Sequence, residues 1–203
     1  MPRPQSRAAC DGCVRIADAG SHVRAASGKA FLNPLVANPP EPLRGLPPVV
    51  DPDTRVIVLG SFPGAASLRA AEYYGNPRNH FWPLLSTLWG IDLARASYAD
   101  RLAALRTRGL GLWDVYASCR RKGSLDSAIE QPELNDLASL ARRAPRLEAI
   151  GHNGGESARA MRHSAGLGVH VVRLPSTSPA NASWTFERKL AAWRAFFHAH
   201  GLA

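Results

Sequence analysis

Four short apolar runs alternate with longer stretches of helical period between residues 51 and 198, and this alternation limits the fold more than any other feature of the chain. The runs are Arg55–Leu59, Gly109–Tyr116, Leu147–Gly151 and Val169–Leu174. The first, Arg55-Val56-Ile57-Val58-Leu59, is β-branched and apolar on both faces, as a buried parallel strand must be, and Gly60 ends it. Helical spacing occupies 79–88, 98–106, 133–143 and 156–163, and Trp184 to His198 closes the chain as a helix. Strands alternating with helices predict an α/β fold of three layers, helices on either side of a mainly parallel four-stranded sheet. In such sheets ligands sit beyond the carboxyl ends of the strands. The loops after Leu59, Trp113, Ile150 and Leu174 are therefore where chemistry is expected.

From Met1 to Pro48 neither period is sustained, and six prolines fall between Asn33 and Pro48. This part reads as a tail and linker, leaving 49–203 as one domain. No apolar run approaches the about 20 residues of a membrane span, and the N-terminus has no apolar core of the secretory kind. A cytoplasmic protein is expected. Three cysteines cannot build a disulfide framework. Cys10 and Cys13 have the spacing of half a metal site with His22 nearby, but no second such pair completes it, so no metal or other cofactor is expected. The net charge of +9 suits a polyanionic partner, although heavy arginine use alone also accounts for it.

The first loop, Gly60-Ser61-Phe62-Pro63-Gly64, gathers glycines and a proline at a strand end, where exposed amides can approach a phosphate or carbonyl oxygen closely. No Gly-Lys-Ser/Thr follows, so it is not a P-loop. Next comes Tyr73-Tyr74-Gly75-Asn76-Pro77-Arg78-Asn79-His80-Phe81-Trp82, with aromatic faces, carboxamides and an arginine in one segment. An extruded base needs those groups: a face to stack on, edges to bond and a backbone clamp. After the last strand run, Pro175-Ser176-Thr177-Ser178-Pro179-Ala180-Asn181-Ala182 sets hydroxyls between rigid prolines, suited to phosphates and a groove.

Together these segments resemble the uracil-DNA glycosylase superfamily, and within it the hypoxanthine-DNA (deoxyinosine) glycosylase family, over residues 45–198. The resemblance implies a monofunctional glycosylase that flips a deaminated base, hypoxanthine by preference, from double-stranded DNA and hydrolyses its N-glycosidic bond. It places the catalytic asparagine on Asn79 and the base-stacking aromatic on Tyr74. Most relatives carry their catalytic Asp or Asn where this chain has Phe62, and many open the last loop with a histidine where it has Leu174. Loss of that histidine removes the usual stabiliser of a departing pyrimidine anion.

Tyr74 and Phe62 are expected to sandwich the base, with amides near Ser61 and Phe62 on its O6 edge. Asp114 resembles the base-reading position by its place in the chain; a carboxylate accepts hydrogen bonds and suits the N1–H of hypoxanthine, while a capping or salt-bridged aspartate is the alternative. Expected DNA contacts are Gly64, Arg78, Arg120, Arg121, Ser176, Thr177, Ser178 and Asn181. Asn153 reads as a turn residue, Trp184 as packing, and Ala180 and Asn181 as small candidates for a wedge. No lysine lies in these loops, which argues against a Schiff-base lyase step. A monomer is expected. Uracil or broader deaminated-base activity, a non-catalytic DNA-binding module and a hydrolase of free inosine stand as alternatives.

Overall fold

The computed structural model describes residues 41–203. Seven strands are present in this part: β1 (Leu43–Arg44), β2 (Val56–Gly60), β3 (Leu110–Asp114), β4 (Tyr116–Arg120), β5 (Glu130–Leu134), β6 (Ala149–Asn153) and β7 (His170–Leu174). The helices are α1 (Ala65–Ala70), α2 (Phe81–Trp89), α3 (Tyr98–Thr107), α4 (Leu140–Arg143), α5 (Gly155–Ala158), α6 (Met161–Ala165) and α7 (Phe186–Ala199). The main sheet runs in the order β3-β2-β6-β7, with every pair parallel. Its central strands are fully buried, as their apolar runs require.

Side chains alternate across β2 and thereby define two cores. Val56 and Val58 face the layer of α2, α3 and α7, where Phe81, Leu84, Leu85, Leu105, Trp193 and Phe197 pack. Ile57 and Leu59 face the opposite layer with Trp113, Val115, Leu137, Leu140 and Ile150. Helix α7 is the longest and is started by Thr185, whose side chain accepts from the Arg188 amide. The Trp193 ring is fully buried and its Nε1 donates to Pro175 O at 3.0 Å, so α7 both fills a core and holds the last loop. Among the described residues no helix is long and apolar enough to cross a membrane.

The local differences from the sequence reading have physical causes. The stretch 133–143 is not one helix: Glu130–Leu134 is an exposed strand, followed by a 3-10 turn at Leu137–Ser139 and the short α4. Strand β5 lies at an edge, where Pro132 removes no hydrogen bond the sheet needs. With β1 and β4 it forms a second, antiparallel sheet that apolar periodicity does not announce, because one of its three strands buries nothing. The segment 156–163 is likewise broken, into α5 and α6.

Residues just ahead of the expected domain boundary at 48 make contacts with the strands and loops that follow. Leu43 and Arg44 pair with Cys119 and Ser118, Tyr73 donates its hydroxyl hydrogen toward Leu46 O and Pro47 O, and Val49 bridges Leu112. The prolines of 42–48 end this strand without preventing it. Cys10, Cys13 and His22, and most of the expected tail, lie outside the described residues.

Candidate active site

The carboxyl ends of β2, β3, β6 and β7 open into a cleft of about 990 Å³, where the four-strand sheet predicts a ligand. Its lining includes Ser61, Phe62, Gly64, Tyr74, Arg78, Asn79, Asp114, Ser176, Ser178 and Asn181, residues that reach one place from four separate loops.

Asn79 stands just before α2. Its Oδ1 accepts from the Phe81 amide at 2.9 Å, which satisfies one of the free amides at the helix start. That bond also fixes which way the carboxamide points, and Nδ2 has no protein partner among the described residues. The site therefore holds a free amide donor on a rigid mount. Pro83 sits in the first turn, where its missing N–H costs nothing.

Tyr74 adopts a left-handed backbone (φ 56°), unusual for an aromatic residue. Its ring stacks on Phe81 with centroids 3.9 Å apart and planes 21° apart, and its hydroxyl accepts from Asn153 Nδ2 at 3.2 Å. One face of Tyr74 is thus occupied by Phe81, and the ring lines the cleft. Phe62 lines the cleft but is 95% covered, packed among Trp113, Val115, Tyr116 and Cys119. It is a wall of the site more than a free stacking platform.

Asp114 ends β3 and is 5% exposed. Its carboxyl makes no hydrogen bond among the described residues, and Oδ2 is fully buried. Neither a cap nor a salt bridge accounts for it, so the structural alternative for this residue fails. Burial, reinforced by the negative charge of Asp126 and opposed by Arg121, pushes its pKa up to about 7. A Cβ at Gly60 would collide with Asp114 Oδ1, so only glycine at the end of β2 leaves room for this carboxyl.

Asn153, read from sequence as a turn residue, is instead a brace. It ends β6, donates from Nδ2 to Thr177 Oγ1 at 2.9 Å and accepts at Oδ1 from the Thr177 amide at 2.9 Å. The positive φ belongs to its neighbour Gly154. The carbonyl of Thr177 in turn accepts from the His80 amide at 3.0 Å. Thr177 is completely buried, so it cannot make the expected DNA contact. Ser176 and Ser178 remain at the cleft, with Ser178 O held by Lys189 Nζ at 3.4 Å from beneath.

The basic loop after β4 is also rearranged. Arg121 turns inward, its Nη2 donating to Pro63 O and its guanidinium 5.1 Å from the Phe62 ring centre. It supports the first loop and is not free to meet a phosphate. Arg120 is the last residue of β4, opposite Glu130, and lies outside the cleft. Arg173, at the end of β7, is exposed at the cleft edge and was not singled out in the sequence; a cation at the end of an edge strand was the available signal. Trp184 also lines the cleft, with Arg188 4.6 Å above its ring.

Comparison with known proteins identifies the family. Residues 47–197 match the model of the uracil DNA glycosylase superfamily. A hypoxanthine DNA glycosylase of Methanosarcina barkeri (strain Fusaro / DSM 804) is 38% identical over 154 residues, covering 76% of this chain and 97% of that protein. A protein of the same name from Methanosarcina acetivorans shows the same identity and coverage. A solution NMR structure from M. acetivorans, named as a candidate uracil DNA glycosylase, superposes with a TM-score of 0.70 at 37% identity, covering 77% of this chain and 97% of its own.

Proposed function

This chain belongs to the uracil DNA glycosylase superfamily, and from that premise we propose that it removes deaminated bases from DNA, hypoxanthine by preference, by hydrolysing the N-glycosidic bond. The observation that supports a base with a lactam edge is Asp114, a buried carboxyl with no hydrogen-bond partner among the described residues beside a cleft of a size to take a base, while the preference for hypoxanthine follows the relatives of that name. A pKa near 7 makes the neutral acid abundant at physiological pH. A neutral carboxyl has one O–H donor and one carbonyl acceptor, and the lactam edge of hypoxanthine offers the complementary O6 and N1–H. A charged carboxylate in the same place would repel O6.

The remaining roles follow from chemistry. In hydrolysis the bond between the base nitrogen and C1′ breaks with its electron pair leaving on the base, while water bonds to C1′ and its proton passes, through solvent, to the departing base. The barrier is charge separation, and it is lowered by dipoles fixed before the reaction begins. Asn79 Nδ2 is such a dipole, held by the bond of Oδ1 to the start of α2. Tyr74 stacks on the base and is itself backed by Phe81. Arg78, Arg173, Ser176 and Ser178 surround the mouth and suit the phosphates of duplex DNA. Lys189 is beneath the last loop and not at the cleft, consistent with hydrolysis without a covalent intermediate.

The test is single-turnover cleavage of duplexes carrying one deoxyinosine, deoxyuridine or deoxyxanthosine, read after alkaline breakage of abasic sites. Cleavage fastest at inosine supports the proposal. Equal rates at uracil, which presents a similar lactam edge, would move the reading to a broad deaminated-base glycosylase. Binding without cleavage would leave a DNA-binding module.

A further inference from the structure

A base drawn out of the duplex leaves a gap, and an apolar side chain inserted there holds the strand open. In the last loop the one large aromatic side chain, Trp184, is half-buried, with Arg188 4.6 Å from its ring. Ala180 carries only a methyl group, and Asn181 is occupied within its own loop, Nδ2 donating to Ser176 O and Oδ1 accepting from Ser183 Oγ, each at 3.1 Å.

Another part of the cleft edge, between β4 and β5, offers an exposed apolar side chain. Leu125 lines the cleft and is 58% exposed. Leu134, the other large apolar residue exposed to a comparable degree among the described residues, is not at the cleft. A lone surface leucine needs no explanation by itself, but the mounting of this one does. Ser124 Oγ accepts from the Ala65 amide at 3.0 Å, and Ser61 Oγ donates to Asp126 Oδ1 at 2.6 Å. The residues on both sides of Leu125 are thus fastened to the first loop, which forms the cleft wall, while the leucine itself is left outside.

We infer that Leu125 is the wedge: it enters the base stack at the position vacated by the base that occupies the cleft. This rests on the glycosylase reading above. The role is one of positioning, since Leu125 holds the base out and touches no reacting atom.

The test compares wild type, Leu125→Ala and Leu125→Met on two duplexes, with cytosine or a pyrene nucleotide opposite inosine. Pyrene fills the stack itself and makes a protein wedge redundant. Leu125→Ala is expected to cut the inosine–cytosine duplex at least about tenfold more slowly than wild type, Leu125→Met within about threefold, and the difference is expected to vanish opposite pyrene. Equal rates on the cytosine duplex would overturn the inference. A loss of the same size opposite pyrene would also overturn it, because that pattern marks a structural defect. A 2-aminopurine placed beside inosine reports stack opening without any cleavage: wild type should brighten it and Leu125→Ala should not. Absence of cleavage by every form would reject the glycosylase reading, while the fluorescence comparison would still decide the wedge; equal brightening by both forms would reject Leu125.

Discussion

Asn153 and Thr177 bind each other twice, side-chain amide to hydroxyl and backbone amide to side-chain carbonyl, both at 2.9 Å, so the pairing of β6 with β7 is carried past the strand ends into the last loop. The same Asn153 amide reaches the Tyr74 hydroxyl. Replacing Asn153 with Ala leaves a buried amide and hydroxyl unpaired, which costs roughly 2–4 kcal/mol. Urea unfolding should show that loss, and inosine cleavage should fall with it, since Tyr74 and the last loop lose a common support. An unchanged midpoint would show that the brace is dispensable.

Asn79 has two functions that can be separated. As the acceptor that holds the Phe81 amide just ahead of α2 it contributes about 1 kcal/mol, which Asn79→Ala loses and Asn79→Ser largely retains. As a donor in the cleft it has no substitute in either variant. Both are expected to lose roughly 100-fold or more in single-turnover cleavage, with DNA affinity changed only a few-fold. Recovery of cleavage by the serine form would reduce Asn79 to that acceptor.

The raised pKa of Asp114 has a definite sign. The folded protein keeps a proton that the unfolded chain releases near the ordinary carboxylate value, so stability falls as pH rises from about 4 to about 7 and levels off above that. Asp114→Asn should remove this contribution: its melting temperature should gain on wild type progressively from pH 5 to pH 8. Cleavage of inosine by wild type should decline as pH rises through about 7, if the neutral carboxyl reads the base. A difference in melting temperature that does not vary with pH would show that Asp114 is ionised throughout.

Gly60 and Asp114 share one small space. Gly60→Ala should cost about 1–3 kcal/mol through the clash of its Cβ with Oδ1. The same change made in an Asp114→Ala background should cost much less. A double-mutant cycle with no coupling would place the strain elsewhere.

The parts legible in the sequence were those governed by neighbours along the chain. Val56-Ile57-Val58-Leu59 could be little other than a buried strand, and the glycines, aromatics and hydroxyls of three loops marked the cleft. What escaped depends on distance. Asn153 is 24 residues from Thr177 and 79 from Tyr74, and nothing local distinguishes it from a turn asparagine. Arg121 belongs to a basic run that resembles a phosphate contact, yet the fold turns its guanidinium inward over Phe62 and onto Pro63 O. Strand β5 has no apolar face, so periodicity assigned part of it to a helix. Asp114 was visible as a residue, whereas its protonation is a property of the surrounding walls.

The bond from the His80 amide to Thr177 O joins the loop of Asn79 to the last loop in the protein alone, before any DNA arrives. Together with the Asn153 brace it ties these two sides of the cleft into a single frame among the described residues. The deformation required for catalysis must then be borne by the nucleic acid. A base that is poorly paired yields at lower cost than a sound one, so discrimination against undamaged DNA begins in the mechanics of the double helix, ahead of any contact with Asp114.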